Sequence, residues 1–387
     1  MRVLLATTAN DGHFGPLAPF ARAVRAAGHE VRVAAPASYA VALERAGFVH
    51  EPFADAPPEV IGPVMASLPT MSFEEADDTV IREVFGRIDA QAGLPAVVES
   101  VERWRPDVVV RESAELASLA AAERAGVPHV HVCIGMHEIA TRFAAAMDRP
   151  LAELDALVGL PEGRCAAALE AETVLSSVPE MLDHAVGDGV PGFLRFSEPV
   201  ATGAGELPRA WGDPALPLVY VTFGSVTGSL PPFGGVFREA LDALADVEAR
   251  VLLTTGRRVE PDDLRPWPAN AHVEQWWQQD SALAHAAVML GHGGFGTTMG
   301  ALAAGVPQVV APIFTSDQVA NGVHVAAVGA GLAVAMGPGS VTRAAGEVRT
   351  LLTDPSYAAA ARTVRDAIAD LPPPSAAVPV LEALARG

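Results

Sequence analysis

Lysine is absent: every one of the 26 basic residues in this 387-residue chain is an arginine. Schiff-base chemistry on a protein lysine is therefore excluded, and with it pyridoxal-phosphate and lysine-aldolase mechanisms. A P-loop is excluded too, since its lysine cannot be supplied. Cysteine is almost missing. Cys133 and Cys165 cannot build a disulfide framework or a thiolate metal cage, so both read as buried thiols. Positive charge is outnumbered, because 46 acidic residues leave a formal charge of −20. Such a surface repels polyanions, which argues against nucleic acid or an anionic membrane as partner. Long apolar runs are lacking as well. Half of the residues are hydrophobic, yet charges, glycines or prolines interrupt each run short of the ~18 residues of a spanning helix. Val3–Ala6 runs directly into polar Thr7–Gly12, without a signal peptide's apolar region, which predicts a cytoplasmic protein.

What is present is a repeating α/β pattern. Val3–Ala6 reads as a buried strand, Thr7–Gly15 as a loop, Leu17–Ala27 as a helix stopped by Gly28, and Val31–Ala34 as the next strand. Similar helix–strand alternation continues through Val41–Phe53 and from Ala96 to Ile134. Helices alternating with short buried strands predict a doubly wound parallel sheet. Residues 54–80 break the rhythm with Pro57, Pro58, Pro63 and Pro69, an insertion of the kind that is often functional or mobile. Leu218–Val221 starts a second β–loop–α–β series. The expected organisation is a Rossmann-like domain over 1–200, a Pro/Gly-rich linker over 201–217, a second such domain over 218–371 and a terminal helix over 372–387.

The sharpest local signal lies between Ala287 and Asp317. A strand, Val288–Leu290, feeds the turn Gly291-His292-Gly293-Gly294-Phe295-Gly296, and a helix follows over Thr297–Ala304. A glycine-rich turn entering a helix is a ready anion site, because free N–H groups and the helix dipole converge there. It is not read as the dinucleotide fingerprint, since no glycine triplet of G-x-G-x-x-G spacing follows the chain's first strand and a histidine sits at the centre of this turn.

His292–Thr298, with Gly305-Val306-Pro307-Gln308 and Asp317-Gln318 downstream, resembles the donor signature of GT-B glycosyltransferases. In detail the chain resembles the bacterial natural-product branch of the UDP-glycosyltransferase superfamily, which decorates macrolides, enediynes, aromatic polyketides and glycopeptides. Trp276-Trp277-Gln278-Gln279 stands where that family has Trp-x-Pro-Gln, and His13–Leu17 with Ala27–Val31 matches its N-terminal opening. The resemblance implies two Rossmann-like domains facing a central cleft. It assigns Trp276 to base stacking, Gln279 to the ribose, and Ser225, His292, Gly294, Gly296 and Thr297 to the diphosphate. Asp317 and Gln318 would take the sugar hydroxyls, a task that suits a carboxylate beside an amide. Trp277 and Gln278 depart from the family pattern.

The same resemblance makes His13 the catalytic base, in the loop after the first strand, where parallel sheets place ligands. Glu112 would orient it, with Glu115 as the alternative partner. Without the resemblance, Trp276 reads as a core residue, Glu112 as a surface or helix-start acid, and Asp317 as a helix cap. Met65, Phe73, Phe85, Met136 and His137, with Met71, are candidates for an acceptor pocket, equally readable as core. His129 and His131 share a strand face, but no carboxylates cluster with them in sequence, so no metal site is expected. No cofactor is implied beyond a nucleotide diphosphate sugar as co-substrate.

The expected function is an inverting, metal-independent transfer of a (deoxy)sugar, with TDP-sugars favoured over UDP-sugars, to a hydrophobic aglycone such as a polyketide. A homodimer is compatible with this. A nucleotide-sugar epimerase of the same fold would turn over donor without acceptor. A non-catalytic donor-binding auxiliary would lack the base.

Overall fold

Short runs of valine, leucine and alanine become the central strands of two parallel sheets, because helices cover both faces of each. The computed structural model describes residues 1–183, 192–197, 205–230, 233–256 and 258–387. One unit comprises Met1–Ser177, Ala185–Ser197 and Pro372–Gly387; the other comprises Val178–His184 and Glu198–Leu371. The expected boundary at 200/201 and the first linker residues, 201–204, lie outside the described residues.

The first unit holds β1 (Arg2–Ala6), β2 (Glu30–Pro36), β3 (Val49–Phe53), β4 (Val108–Glu112), β5 (His129–Val132), β6 (Thr173–Ser176) and β7 (Phe193–Arg195). They pair in parallel in the order β3-β2-β1-β4-β5-β6-β7. Alternation along β1 explains the layers. Val3 and Leu5 pack with Leu17, Phe20 and Val24 of the helix Asp11–Ala26. Leu4 and Ala6 face the other way, onto Leu94, Val97 and Val101 of the helix Ala90–Trp104. Each such buried aliphatic side chain contributes about 1.5–3 kcal/mol relative to exposure.

The second unit repeats the scheme with β8 (Leu218–Thr222), β9 (Arg250–Thr254), β10 (Ala271–Glu274), β11 (Ala286–Gly291), β12 (Gln308–Val310) and β13 (Gly331–Ala333). The order is β10-β9-β8-β11-β12-β13, again all parallel. Val219 and Val221 pack on Phe237, Leu241 and Leu244, while Leu218 and Tyr220 pack on Leu283 and Ala301. The mixed α/β fold with two doubly wound sheets matches the expectation.

Local details differ from it. The first helix begins at Asp11, not Leu17, so His13 lies in its first turn rather than in a loop. Asn10 is the cause: its side chain caps the helix by accepting from the His13 N–H at 3.0 Å. The insertion is helical, with Pro58–Ser67, Phe73–Thr79 and a π-helical stretch, Val80–Asp89, running into Ala90–Trp104. Ser72 and Glu75 close a capping box there, a pattern visible in the sequence. The terminal segment folds into the first unit. Ala377, Val378 and Leu381 join the core around Leu17 and Phe20, and His29 Nε2 lies 3.0 Å from Glu382 Oε1.

Candidate active site

In the first sheet the chain leaves β1 toward β2 and leaves β4 toward β5. At that reversal the loops diverge and leave room at the carboxyl ends of the strands. The reversal brings His13 to Glu112, 99 positions away in sequence, with Nδ1 3.0 Å from Oε1. Glu112 ends β4 and is fully buried. Its Oε1 also accepts from the Thr8 N–H and hydroxyl, both at 3.1 Å, and Oε2 accepts from the Ala114 N–H at 2.6 Å. Burial would raise this carboxyl, but the charge His13 can carry and these hydrogen bonds hold it below its ordinary range. Glu112 is therefore neither a surface acid nor a helix-start charge. Glu115, the alternative partner, instead accepts from Ser118, and burial pushes its carboxyl up to about 7.

Beneath the pair lies Arg111, wholly buried. It forks onto Glu172 at 2.9 and 2.7 Å and donates to the carbonyls of Glu112 and Glu115 at 2.9 and 3.0 Å. His129 is held between Glu172 and Glu123, and His131 Nε2 lies 2.8 Å from the Ser113 hydroxyl. Among the described residues no group of three or more His, Cys, Asp or Glu could hold a metal ion.

Above the pair the Phe85 ring stacks on His13 with centroids 5.4 Å apart. Phe85 also lines a cavity of about 270 Å³, walled by Thr8–Asn10, Pro36, Phe53–Ala56, Ile61, Asp89, Ala90 and Ala114–Leu116. It sits at the carboxyl ends of β1 to β4, within the first unit alone. Phe85 is the one acceptor candidate on this wall. Met136 is fully buried and reaches no open surface, so it is not a pocket lining. Met65 and Phe73 are exposed on the insertion, and His137 packs edge-on against Phe193.

The second sheet has its own reversal, between β8 and β11, and the glycine-rich turn lies there. His292 is packed between two glycines. A Cβ on Gly224 would fall 2.8 Å from its ring and one on Gly294 2.5 Å from it. Burial drives the His292 pKa down to about 4, so the ring is neutral at pH 7. Its Nδ1 has no partner among the described residues. In the free protein His292 is therefore a neutral donor or acceptor.

Gly294 is the N-cap of the helix Phe295–Ala303, with no side-chain cap, so its first-turn N–H groups stay available to an anion. Gly296 has open space beside it, and Thr297 is half-buried. Asn321 Nδ2 donates to the Gly293 carbonyl at 2.8 Å and fixes the turn. Gln279 begins a short helix and reaches the Gly296 carbonyl at 3.5 Å. Ser225 is exposed after β8. Trp276 is 54 % exposed, which overturns its reading as a core residue. Asp317 is the second residue of the helix Ser316–Ala327, whose N-cap is Thr315, so Asp317 is not its cap. Gln318 is buried, and its Oε1 accepts from the Ile313 and Phe314 N–H groups at 2.8 and 3.2 Å. That oxygen is committed to the backbone, leaving the amide nitrogen as its donor.

Residues 22–184 match the family described as erythromycin biosynthesis protein CIII-like, N-terminal domain, and residues 238–384 match the corresponding C-terminal domain. The L-demethylnoviosyl transferase of Streptomyces niveus is 31% identical over 97% of this chain and 96% of its own length. The TDP-daunosamine transferase DnrS of Streptomyces peucetius is 28% identical over 99% of this chain and 97% of its own. Among solved structures, the glycosyltransferase SnogD of Streptomyces nogalater is 26% identical with a TM-score of 0.77, covering 100% of this chain and 99% of that one. The chain belongs to the bacterial natural-product glycosyltransferases of the GT-B fold.

In this glycosyltransferase the tertiary structure brings together His13 with Glu112, and the Gly224 loop with His292, Gly294 and, through Gly296, Gln279. Sequence reasoning missed Asn10, Thr8, Asn321 and Asp89. Asn10 was findable, as an Asn-Asp pair ahead of an apolar-periodic helix is a start signal. Asp89 had no signal, since its place depends on how the insertion folds. Among the described residues, no helix is long and apolar enough to cross a membrane.

Proposed function

We propose that this glycosyltransferase moves a deoxysugar from a thymidine-diphosphate sugar to a hydroxyl of an apolar natural-product aglycone, such as a polyketide. The observation that carries the reading is the His13–Glu112 pair, 3.0 Å apart with the carboxylate fully buried. With its proton on Nδ1 toward Glu112, the imidazole has its basic lone pair on Nε2. The acceptor O–H gives its proton to Nε2 as its oxygen bonds to the anomeric carbon. The bond from that carbon to the phosphate oxygen breaks, and the electron pair leaves with TDP. One displacement of this kind inverts the anomeric centre. Glu112 fixes the tautomer and stabilises the imidazolium, as a carboxylate does in a hydrolase triad.

The donor diphosphate would be held by the uncapped first turn of Phe295–Ala303, the His292 ring, Thr297 and Ser225, with Trp276 under the base and Gln279 at the ribose. Asp317 and the amide nitrogen of Gln318 would read the sugar. No arginine lies between Val288 and Ala320. In this reading backbone dipoles therefore meet the leaving charge, and no metal is needed. The relative named for TDP-daunosamine supports thymidine as the base.

The test measures TDP release from a panel of TDP- and UDP-sugars, with and without polyketide aglycones, in wild type and His13→Ala. Acceptor-dependent TDP release, lost in the variant and unaffected by EDTA, is the expected result. Equal rates for the two proteins would sink the base assignment. Donor turnover without acceptor would point to an epimerase.

A further inference from the structure

The cavity beside His13 has a wall that the transfer mechanism does not use. Three carboxylates reach it, but two are spoken for. Asp55 accepts from the Ser38 N–H and hydroxyl, and Glu115 accepts from Ser118. Asp89 has no hydrogen-bond or ion-pair partner among the described residues. It ends the π-helical stretch, four residues after Phe85, and both side chains line the cavity. The rest of the wall is largely apolar, with Phe53, Ile61 and Phe85, and no arginine stands on it.

A half-buried carboxylate without a partner is costly unless something supplies a donor. Burial, reinforced by Asp55 and Glu112 and offset in part by His13, pushes Asp89 up to about 6. A cation placed against it would relieve both the desolvation and the repulsion between acids. The chain has no lysine to serve, and its overall charge of −20 favours cations over anions at any opening. At about 270 Å³ the cavity lies just under the usual range for ligand pockets, about 300–1,000 Å³. It suits one ring with a substituent rather than a whole polycyclic aglycone.

We propose that this cavity is an acceptor subsite for a cationic, amine-bearing group, and that Asp89 is the residue that selects it. The assignment rests on the acceptor reading above and deepens it: the aglycone, apolar elsewhere, carries a protonated amine on the part that enters beside His13.

The test titrates the full-length protein at pH 7.5 with three phenols of one shape. Tyramine carries an ammonium, 4-ethylphenol carries nothing, and 3-(4-hydroxyphenyl)propionate carries a carboxylate. Binding is read by calorimetry, and its place by the shift of the Ile61 methyl signal. Tyramine is expected to bind at least about tenfold more tightly than 4-ethylphenol, as a charged hydrogen bond warrants, with the propionate weakest. Asp89→Asn should remove the tyramine advantage and leave 4-ethylphenol unchanged. Equal binding of the three, a preference that survives Asp89→Asn, or binding without an Ile61 shift overturns the proposal. Should the variant not fold, the wild-type ranking decides alone, and a propionate that rivals tyramine refutes it. Tyramine bound beside Ile61 in a protein that transfers no sugar would refute the transferase mechanism and not this subsite.

Discussion

Nδ1 of His13 lies 3.0 Å from Oε1 of Glu112, a carboxylate that solvent does not reach and that Thr8 and Ala114 also hold. The two side chains act as one unit, so the effects of removing them should not add. His13→Ala is expected to lower kcat about 10²–10⁴-fold with TDP affinity unchanged. Glu112→Gln should fall in the same range, and the double variant should be little worse than His13→Ala. Steady-state TDP release with a fixed aglycone measures all three. Additive losses would mean that the residues work independently.

His292 sits between Gly224 and Gly294, so their smallness is a condition for the donor turn. An added Cβ would stand 2.8 Å from the ring at Gly224, where φ is also +74°, and 2.5 Å from it at Gly294. Gly294→Ala should weaken TDP binding tenfold or more by displacing the ring and the helix start. Gly296→Ala meets nothing within 4 Å and should fold normally. Isothermal titration of the two variants with TDP separates the cases. Equal affinities would show that the ring position does not matter.

Trp276 projects into solvent after β10, with 54 % of its surface exposed. Trp276→Ala should therefore change stability by no more than about 0.5 kcal/mol. If the indole stacks on the base, TDP affinity should drop by about 1–3 kcal/mol, the range for base–aromatic stacking. Thermal melts paired with TDP titration test both halves. A large loss of Tm with intact binding would restore the structural role.

Burial lowers the His292 pKa to about 4 from an ordinary 6.5. The unfolded chain takes up this proton below pH 6.5, whereas the folded chain refuses it until about pH 4. Folding stability therefore falls as pH drops through that window, by up to roughly 3 kcal/mol for this group. His292→Gln should make the pH dependence of urea unfolding shallower between pH 6.5 and 4. In wild type the imidazole NMR signals should show a neutral ring at pH 6, shifting toward protonation when TDP is added. A free-protein pKa near 6.5 would contradict the packing described.

Arg111 is expected to matter for stability before catalysis. It is wholly buried and neutralises Glu172 while holding the carbonyls of Glu112 and Glu115. Arg111→Met leaves buried Glu172 with His129 as its remaining partner and should cost about 3–5 kcal/mol. Chemical denaturation gives this value directly. Adding Glu172→Gln should recover part of the loss, since the buried charge goes with it.

The amino-acid order by itself determined the strands β1 to β5, β8, β9, β11 and β12, the αL stop at Gly28, the two doubly wound series and the donor turn at His292. Those features are local, being set by a period-2 apolar run, a glycine at positive φ, or a run of small residues. The first helix was misjudged by a few residues because Pro16 and Pro19 argue against a helix that the Asn10 cap and tertiary packing nonetheless support. The helices of the insertion were not legible, because prolines at helix starts and in loops look alike before the packing is known. Other facts were decided only by the fold. The strand order β3-β2-β1-β4 brings His13 to Glu112 across 99 positions; His13 and the hydrogen bonds from Thr8 and Ala114 keep Glu112 ionised against its burial, and burial keeps His292 neutral. Asp89 reaches the cavity only because the stretch Val80–Asp89 meets the carboxyl ends of the strands. The missing lysines, legible from the first count, take their consequence from that same folding: an anion must be met by the uncapped helix at Gly294, and a cation has Asp89 to meet.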